Sequence, residues 1–194
     1  MNLRPIVLAL VIGSLGLLAW RAELFTVQRR GMRPLPLALV PVAARRAVRF
    51  DASLPLVPTG VERVTAGNGA LLVHFWAPWE QHSGVQALAL DSLRRVLPPG
   101  ELRLAVICFD PYPSVSRYVG RMRLRLPVML DLKRVFARQL PCPSIPYTYL
   151  LDAQGRVAAE QPGEIDWLSP ATRAAIDTVL AERPPVSPPA TAAL

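Results

Sequence analysis

Glu80, His82 and Ser83 place a carboxylate, an imidazole and a hydroxyl within four residues of one another. Those groups are the raw material of acid–base and nucleophilic chemistry. A serine becomes a nucleophile only when a base takes its proton, a third group orients the base, and donors await the oxyanion. No orienting group and no oxyanion donors can be named from the sequence, so the trio is not a triad. Glu80 also has a simpler use. A carboxylate at the start of a helix stabilises it by about 0.3–1 kcal/mol through the exposed amides and the dipole. The remaining reactive side chains are His74, Cys108 and Cys142. With His82 they lack metal-ligand spacing, so no metal and no cofactor are expected. Cys108 falls in an apolar stretch where a thiol behaves as a small hydrophobe. Cys142 has no basic sequence neighbour to lower its pKa.

The elements that hold these residues can be read from hydrophobic pattern and breakers. Ala70–Trp76 is a short apolar run of strand composition after the turn signal Gly67-Asn68-Gly69. Gln81–Leu97 carries Val85, Leu88, Ala89, Leu93 and Val96 at helical spacing, and Pro98-Pro99-Gly100 stops it. A buried-type strand over Leu102–Phe109, a helix over Ser114–Arg125, a short strand over Pro127–Leu130 and a third helix over Leu132–Leu140 follow. Tyr147–Leu151 and Arg156–Glu160 flank Asp152-Ala153-Gln154-Gly155, which is hairpin chemistry. Ser169–Ala181 closes with a helix whose N-cap is Ser169 and whose first turn holds Pro170. This order predicts an α/β domain with a central mixed sheet flanked by helices.

The flanks differ in kind. Pro5–Trp20 carries no charge and as a helix would cover about 24 Å, short of roughly 30 Å of hydrocarbon. Leu3 and the apolar residues up to Val27 could extend it if Arg21 snorkels. No small-x-small cleavage site follows the run, which favours a signal anchor over 1–27 above a cleaved signal peptide. Residues 28–49 mix prolines and arginines without a period and read as a linker, whose apolar residues lie along either the domain or the bilayer. The ordered domain is expected over 50–182, and 183–194 is a proline-rich tail of disordered composition. The formal charge is +8, and Lys133 is the only lysine. Arginines beside an apolar segment suit anionic headgroups. Nucleic-acid binding is not expected, because no groove-reading motif and no basic–aromatic interleaving is present.

His74-Phe75-Trp76-Ala77-Pro78-Trp79 resembles the strand before the active site of thioredoxin-like proteins, particularly the membrane-anchored TlpA/ResA group. Ile145-Pro146-Tyr147-Thr148-Tyr149-Leu150-Leu151-Asp152 with Gly155-Arg156-Val157 resembles the family's cis-proline stretch and hairpin. Gly163-Glu164-Ile165-Asp166-Trp167 resembles the lead into the last helix. The resemblance implies a thioredoxin-like fold, a cis Ile145–Pro146 bond, and strands too far apart for a Cys108–Cys142 disulfide. Where the family has C-x-x-C, this chain has Glu80-Gln81-His82-Ser83, with Glu80 at the nucleophilic and Ser83 at the resolving position. A carboxylate and a hydroxyl cannot exchange disulfides.

The resemblance therefore carries the fold without the activity. The expected function is a non-enzymatic binding or scaffold role toward a polypeptide partner, with Trp79, His82, Ile145, Pro146 and Tyr147 as binding candidates. The alternative is a thiol–disulfide oxidoreductase relative, in a cell-envelope redox or cytochrome-maturation setting, acting through an unorthodox site such as Cys142. The family setting puts the domain outside a bacterial-type inner membrane. The excess of arginine C-terminal to the apolar run argues for the cytoplasmic side, and the exported side is the one adopted here.

Overall fold

The structure, a computed structural model, describes residues 34–98 and 100–182. The apolar run over 5–20 and the tail over 183–194 lie outside the described residues. Among the described residues, no helix is long and apolar enough to cross a membrane.

The described residues form seven strands and three α-helices, in the order β1 (Asp51–Val57), β2 (Val61–Thr65), β3 (Leu71–Trp76), α1 (Ser83–Val96), β4 (Arg103–Cys108), α2 (Tyr112–Met122), β5 (Val128–Leu130), β6 (Tyr147–Leu151), β7 (Val157–Pro162) and α3 (Pro170–Ala181). They form one mixed sheet in the order β2-β1-β5-β4-β3-β6-β7. β3, β4 and β5 run parallel, while β6 lies antiparallel to β3 and β7 antiparallel to β6. β3 is buried along its whole length, His74 included, as a run of apolar residues on both faces requires. Leu72 and Trp76 join a core cluster with residues of all three helices, whereas Leu71, Val73 and Phe75 join the second cluster with Phe50, Phe136 and Leu140. Alternation of side chains across the strand separates the two sets.

Several expected elements are found with their causes visible. The Ser169 hydroxyl accepts from the Thr172 amide at 3.1 Å and caps α3, with Pro170 in the first turn. In the hairpin turn the Asp152 carboxylate accepts from the amides of Gln154 and Arg156. Gly155 there has φ +76, and a Cβ would come within 2.9 Å of the Gly67 amide nitrogen, so this turn and the Gly67 turn need a glycine between them.

Leu132–Leu140 is not a helix. The Asp131 carboxylate captures the amides of Val135 (2.7 Å) and Ala137 (2.9 Å), and Arg134 adopts φ +53. A side chain that competes for backbone amides leaves isolated turns where a helix would otherwise propagate. The β1–β2 hairpin is an element that the sequence pattern did not reveal.

Residues 34–49, within the stretch read as linker, run along the domain. Leu35 bridges to Ile165 and Ala47 to Arg156. Leu37 is buried, and its amide donates to the Thr172 hydroxyl. Arg45 is buried against Asp152 (3.2 Å) and also pairs with Glu182.

Candidate functional site

Parallel strands β3 and β4 end on the same side of the sheet, and the chain returns there before β6 and after β7. Open α/β sheets use this end for their ligands. Every candidate residue collects at it, but they do not form one cluster.

The turn between β3 and α1 is knitted by its own side chains. The Ser83 hydroxyl accepts from the Ala77 amide (3.3 Å) and donates to the Glu80 carboxylate (3.0 Å). The same carboxylate oxygen accepts the His82 amide at 2.9 Å. Glu80 thus stands ahead of the helix, which begins at Ser83 with His82 as N-cap. Ser83 is fully buried. His82 turns away from it, and its Nδ1 lies 2.8 Å from the Glu164 carboxylate. The serine hydroxyl is held by Glu80 and the imidazole faces Glu164, so Ser83 and His82 are not paired as nucleophile and base in this arrangement.

The Ile145–Pro146 bond is cis, and the Pro146 carbonyl accepts from the Gly163 amide at 2.9 Å. Since Glu164 follows Gly163, the loop after β7 joins the proline turn to the start of α1. Tyr147 is buried, and its hydroxyl donates to Glu160 at 2.6 Å. Pro146 is also buried, and Ile145 is half-buried. Trp76 packs in the core against Tyr118, with ring centroids 5.1 Å apart.

Trp79 is different. At 69% exposure it overhangs a cleft of about 230 Å³ lined by Pro78, Asp110, Ser114, Arg117, Tyr118 and Arg121. Arg121 stacks on the Tyr118 ring at 5.3 Å. Gly84 lets α1 meet Tyr118, since any side chain there would overlap the Tyr118 hydroxyl. A larger cleft, about 490 Å³ with Arg94, Arg95 and Arg103, lies at the opposite end of the strands. Its guanidinium groups are already bonded to Arg125, Thr65 and Asn68 carbonyls or to Asp91.

Both thiols are free. Burial pushes the Cys108 thiol up to about 12 and the Cys142 thiol up to about 11, the latter against the opposing pull of Arg134. The Cys142 thiol donates to the Ser144 carbonyl at 3.1 Å. Neither sulfur has the exposed, electropositive surroundings that make a nucleophilic thiolate.

No protein-family model matches the chain, and no curated protein matches it. Solved structures do. A Chlorobium tepidum protein named as a thiol:disulfide interchange protein, DsbE, superposes with a TM-score of 0.61 at 16% identity, covering 70% of this chain and 97% of its own. StoA from Bacillus subtilis gives 0.57 at 15% identity, covering 68% and 98%. The thioredoxin domain of a thiol-disulfide oxidoreductase from Bacteroides vulgatus gives 0.57 at 14%, covering 70% and 98%. The fold is thioredoxin-like.

Within this thioredoxin-like domain, the sequence pattern located Trp79, His82 and the proline turn but missed Glu164, Arg117 and Arg121 as members of the same end. Glu164 meets His82 across 82 positions of chain, a pairing no local spacing announces. Arg117 and Arg121 stand one turn apart on a helix that starts where β4 ends. That i, i+4 spacing was the available signal.

Proposed function

We propose that this protein is a membrane-anchored, redox-inactive thioredoxin-like domain that binds a polypeptide partner at the end of the sheet where Trp79 is exposed. The single observation that carries this reading is the hydrogen-bonded pair Glu80–Ser83 at the two positions that the motif resemblance aligns with C-x-x-C. Two of the structural neighbours, those from Chlorobium tepidum and Bacteroides vulgatus, are named for thiol–disulfide chemistry. That chemistry needs a thiolate to attack sulfur and a second thiol to resolve the mixed disulfide. A carboxylate bonded to a buried hydroxyl supplies neither. Binding needs only a surface, and an exposed tryptophan beside two arginines has the composition of an interface anchor.

Catalysis by Cys142 has less support, because a thiol pushed up to about 11 is protonated at neutral pH. Its modification by a thiol reagent should be on the order of 100-fold slower than that of a free cysteine.

The deciding assay is reduction of insulin disulfides by the full chain in detergent micelles. The expected rate is that of the reductant alone. Turnover above it, surviving Cys142→Ser, would overturn the redox-inactive reading. Capture of a partner by the anchored protein, lost at least tenfold in Trp79→Ala, tests the binding half. A C-terminal reporter active only outside the cytoplasm tests the exported side.

A further inference from the structure

Helix α1 buries Ala87, Leu90 and Leu93 and carries apolar side chains on its outer face as well. Its buried residues include Gln86 and Asp91. Val85 is 67% exposed, Leu88 40% and Val96 63%. At about 100° per residue, these three and Ser92 fall within an arc of roughly 80° on the outer face. The buried polar groups are accounted for. The Gln86 amide donates to the Ile165 carbonyl (3.1 Å) and accepts from its amide (3.0 Å), and Asp91 pairs with Arg95. Nothing among the described residues covers the outer stripe. Beside it runs the segment from Ile165 to Arg173, whose guanidinium bonds the Val96 carbonyl and whose Leu168 is also exposed.

We infer that this face of α1 lies on an anionic phospholipid surface. The inference rests on the proposed anchor, and three observations select lipid as the occupant. The chain enters the domain beside this helix, because Leu35 exchanges backbone hydrogen bonds with Glu164 and Asp166, which flank the residue that Gln86 holds. Thirteen residues, 21–33, separate the apolar run from Pro34, and even fully extended they reach about 45 Å. A face tethered so closely needs little intrinsic affinity to stay engaged. Finally, the charged residues of α1 are Asp91, Arg94 and Arg95, and the one acid among them is buried. Arg95, about 60° from the middle of the stripe, and Arg173, at the Val96 carbonyl, border these apolar side chains. They are paired with Asp91 and Asp177, while Arg94 lies on the opposite face. An apolar stripe edged by arginine matches a headgroup boundary. The helix offers no exposed acid through which a second copy of α1 could pair with Arg95.

The test uses the full chain carrying Cys142→Ser, with an environment-sensitive fluorophore on Leu88→Cys or, as a control, on the exposed edge-strand site Val61→Cys. Each is reconstituted into vesicles of phosphatidylglycerol with phosphatidylcholine, or of phosphatidylcholine alone. The Leu88 label should shift to the blue and be quenched by lipid-attached quenchers in the anionic vesicles. It should do so less in the neutral ones, and the Val61 label should stay in water in both. Adding Val85→Ser and Val96→Ser should abolish the shift. A Leu88 label that stays in water while the chain resists alkaline carbonate extraction overturns the inference and leaves the anchor standing. Extraction of the chain by carbonate removes the anchor reading and this inference with it. A blue shift without lipid quenching, growing with protein concentration in detergent, would mean that a second copy covers the face and would overturn it too.

Discussion

The two ends of β3 satisfy polar groups in opposite ways. Past Trp76, Glu80 is bonded to His82 and Ser83, two and three residues away. Near Leu71, where β6 ends, Asp152 is bonded to Arg45 across 107 positions, and Arg45 to Glu182 across 137. The first cluster is a property of one turn and would form wherever that turn forms. The second exists only when the segment before β1, the β6–β7 hairpin and the end of α3 are already assembled. The local knot holds the site's shape cheaply, and the distant one reports whether the whole domain is built. Both of its closest partners are almost without solvent contact, with side-chain exposures of 2% for Arg45 and 0% for Asp152.

The comparison breaks most visibly at the far end. Arg45→Ala would leave Asp152 with Arg156 (2.8 Å) and two backbone donors, and would strip Glu182 and the Val40 carbonyl of their donor. Removing one partner of a buried ion pair costs about 3–5 kcal/mol. The surviving Arg156 contact puts this case near 3 kcal/mol. Urea unfolding of the full chain in detergent should show the midpoint fall, and a double cycle with Asp152→Asn should show coupling above about 1 kcal/mol. A loss comparable to that of a surface substitution would mean the network is decoration.

Between the two ends sits His74, buried within β3. Its Nδ1 is 2.9 Å from the Thr148 hydroxyl, its ring meets Trp167 edge-on at 5.7 Å, and its Nε2 has no partner among the described residues. Burial lowers its pKa from 6.5 to about 4. The unfolded imidazole takes its proton near 6.5 and the folded one resists until about 4, so its contribution is complete above pH 6.5 and drains away as pH falls through that window. Between pH 7 and 5 the loss should be about 2 kcal/mol. His74→Leu should flatten stability over that range, where carboxylates titrate little. An unchanged slope would show that the imidazole is hydrated in the folded state.

Legibility follows the same local-versus-distant division. β3, the capped α3 and the Asp152–Gly155 turn are written in contiguous residues, and they were readable. So was the Glu80–Ser83 segment. The Leu132–Leu140 turns were not, because composition favours a helix there and one carboxylate, Asp131, takes the amides. β1 hides its alternation of Ala52 and Leu54 behind Pro55 and Pro58. In α1 an apolar stripe at helical spacing ordinarily marks the buried face, yet Gln86 is inside because Ile165, 79 positions away, needs both a donor and an acceptor. Nothing near Gln86 in the chain carries that information.

The smallest effect should come from the local knot, and it sharpens the contrast. Glu80→Ala removes the acceptor for the His82 amide and for the buried Ser83 hydroxyl. Lost caps cost about 1 kcal/mol, and a stranded buried hydroxyl costs a similar amount. Ser83 can recover part of that by rotating its proton toward another acceptor, so the net loss should stay near 1 kcal/mol, well below that of Arg45→Ala. Glu80→Gln keeps one carbonyl acceptor and should cost less still. If Glu80→Ala instead matched the far-end variant, the turn would be held by tertiary forces through His82 and Glu164. The double variant with Glu164→Gln would then lose less than the sum of its parts.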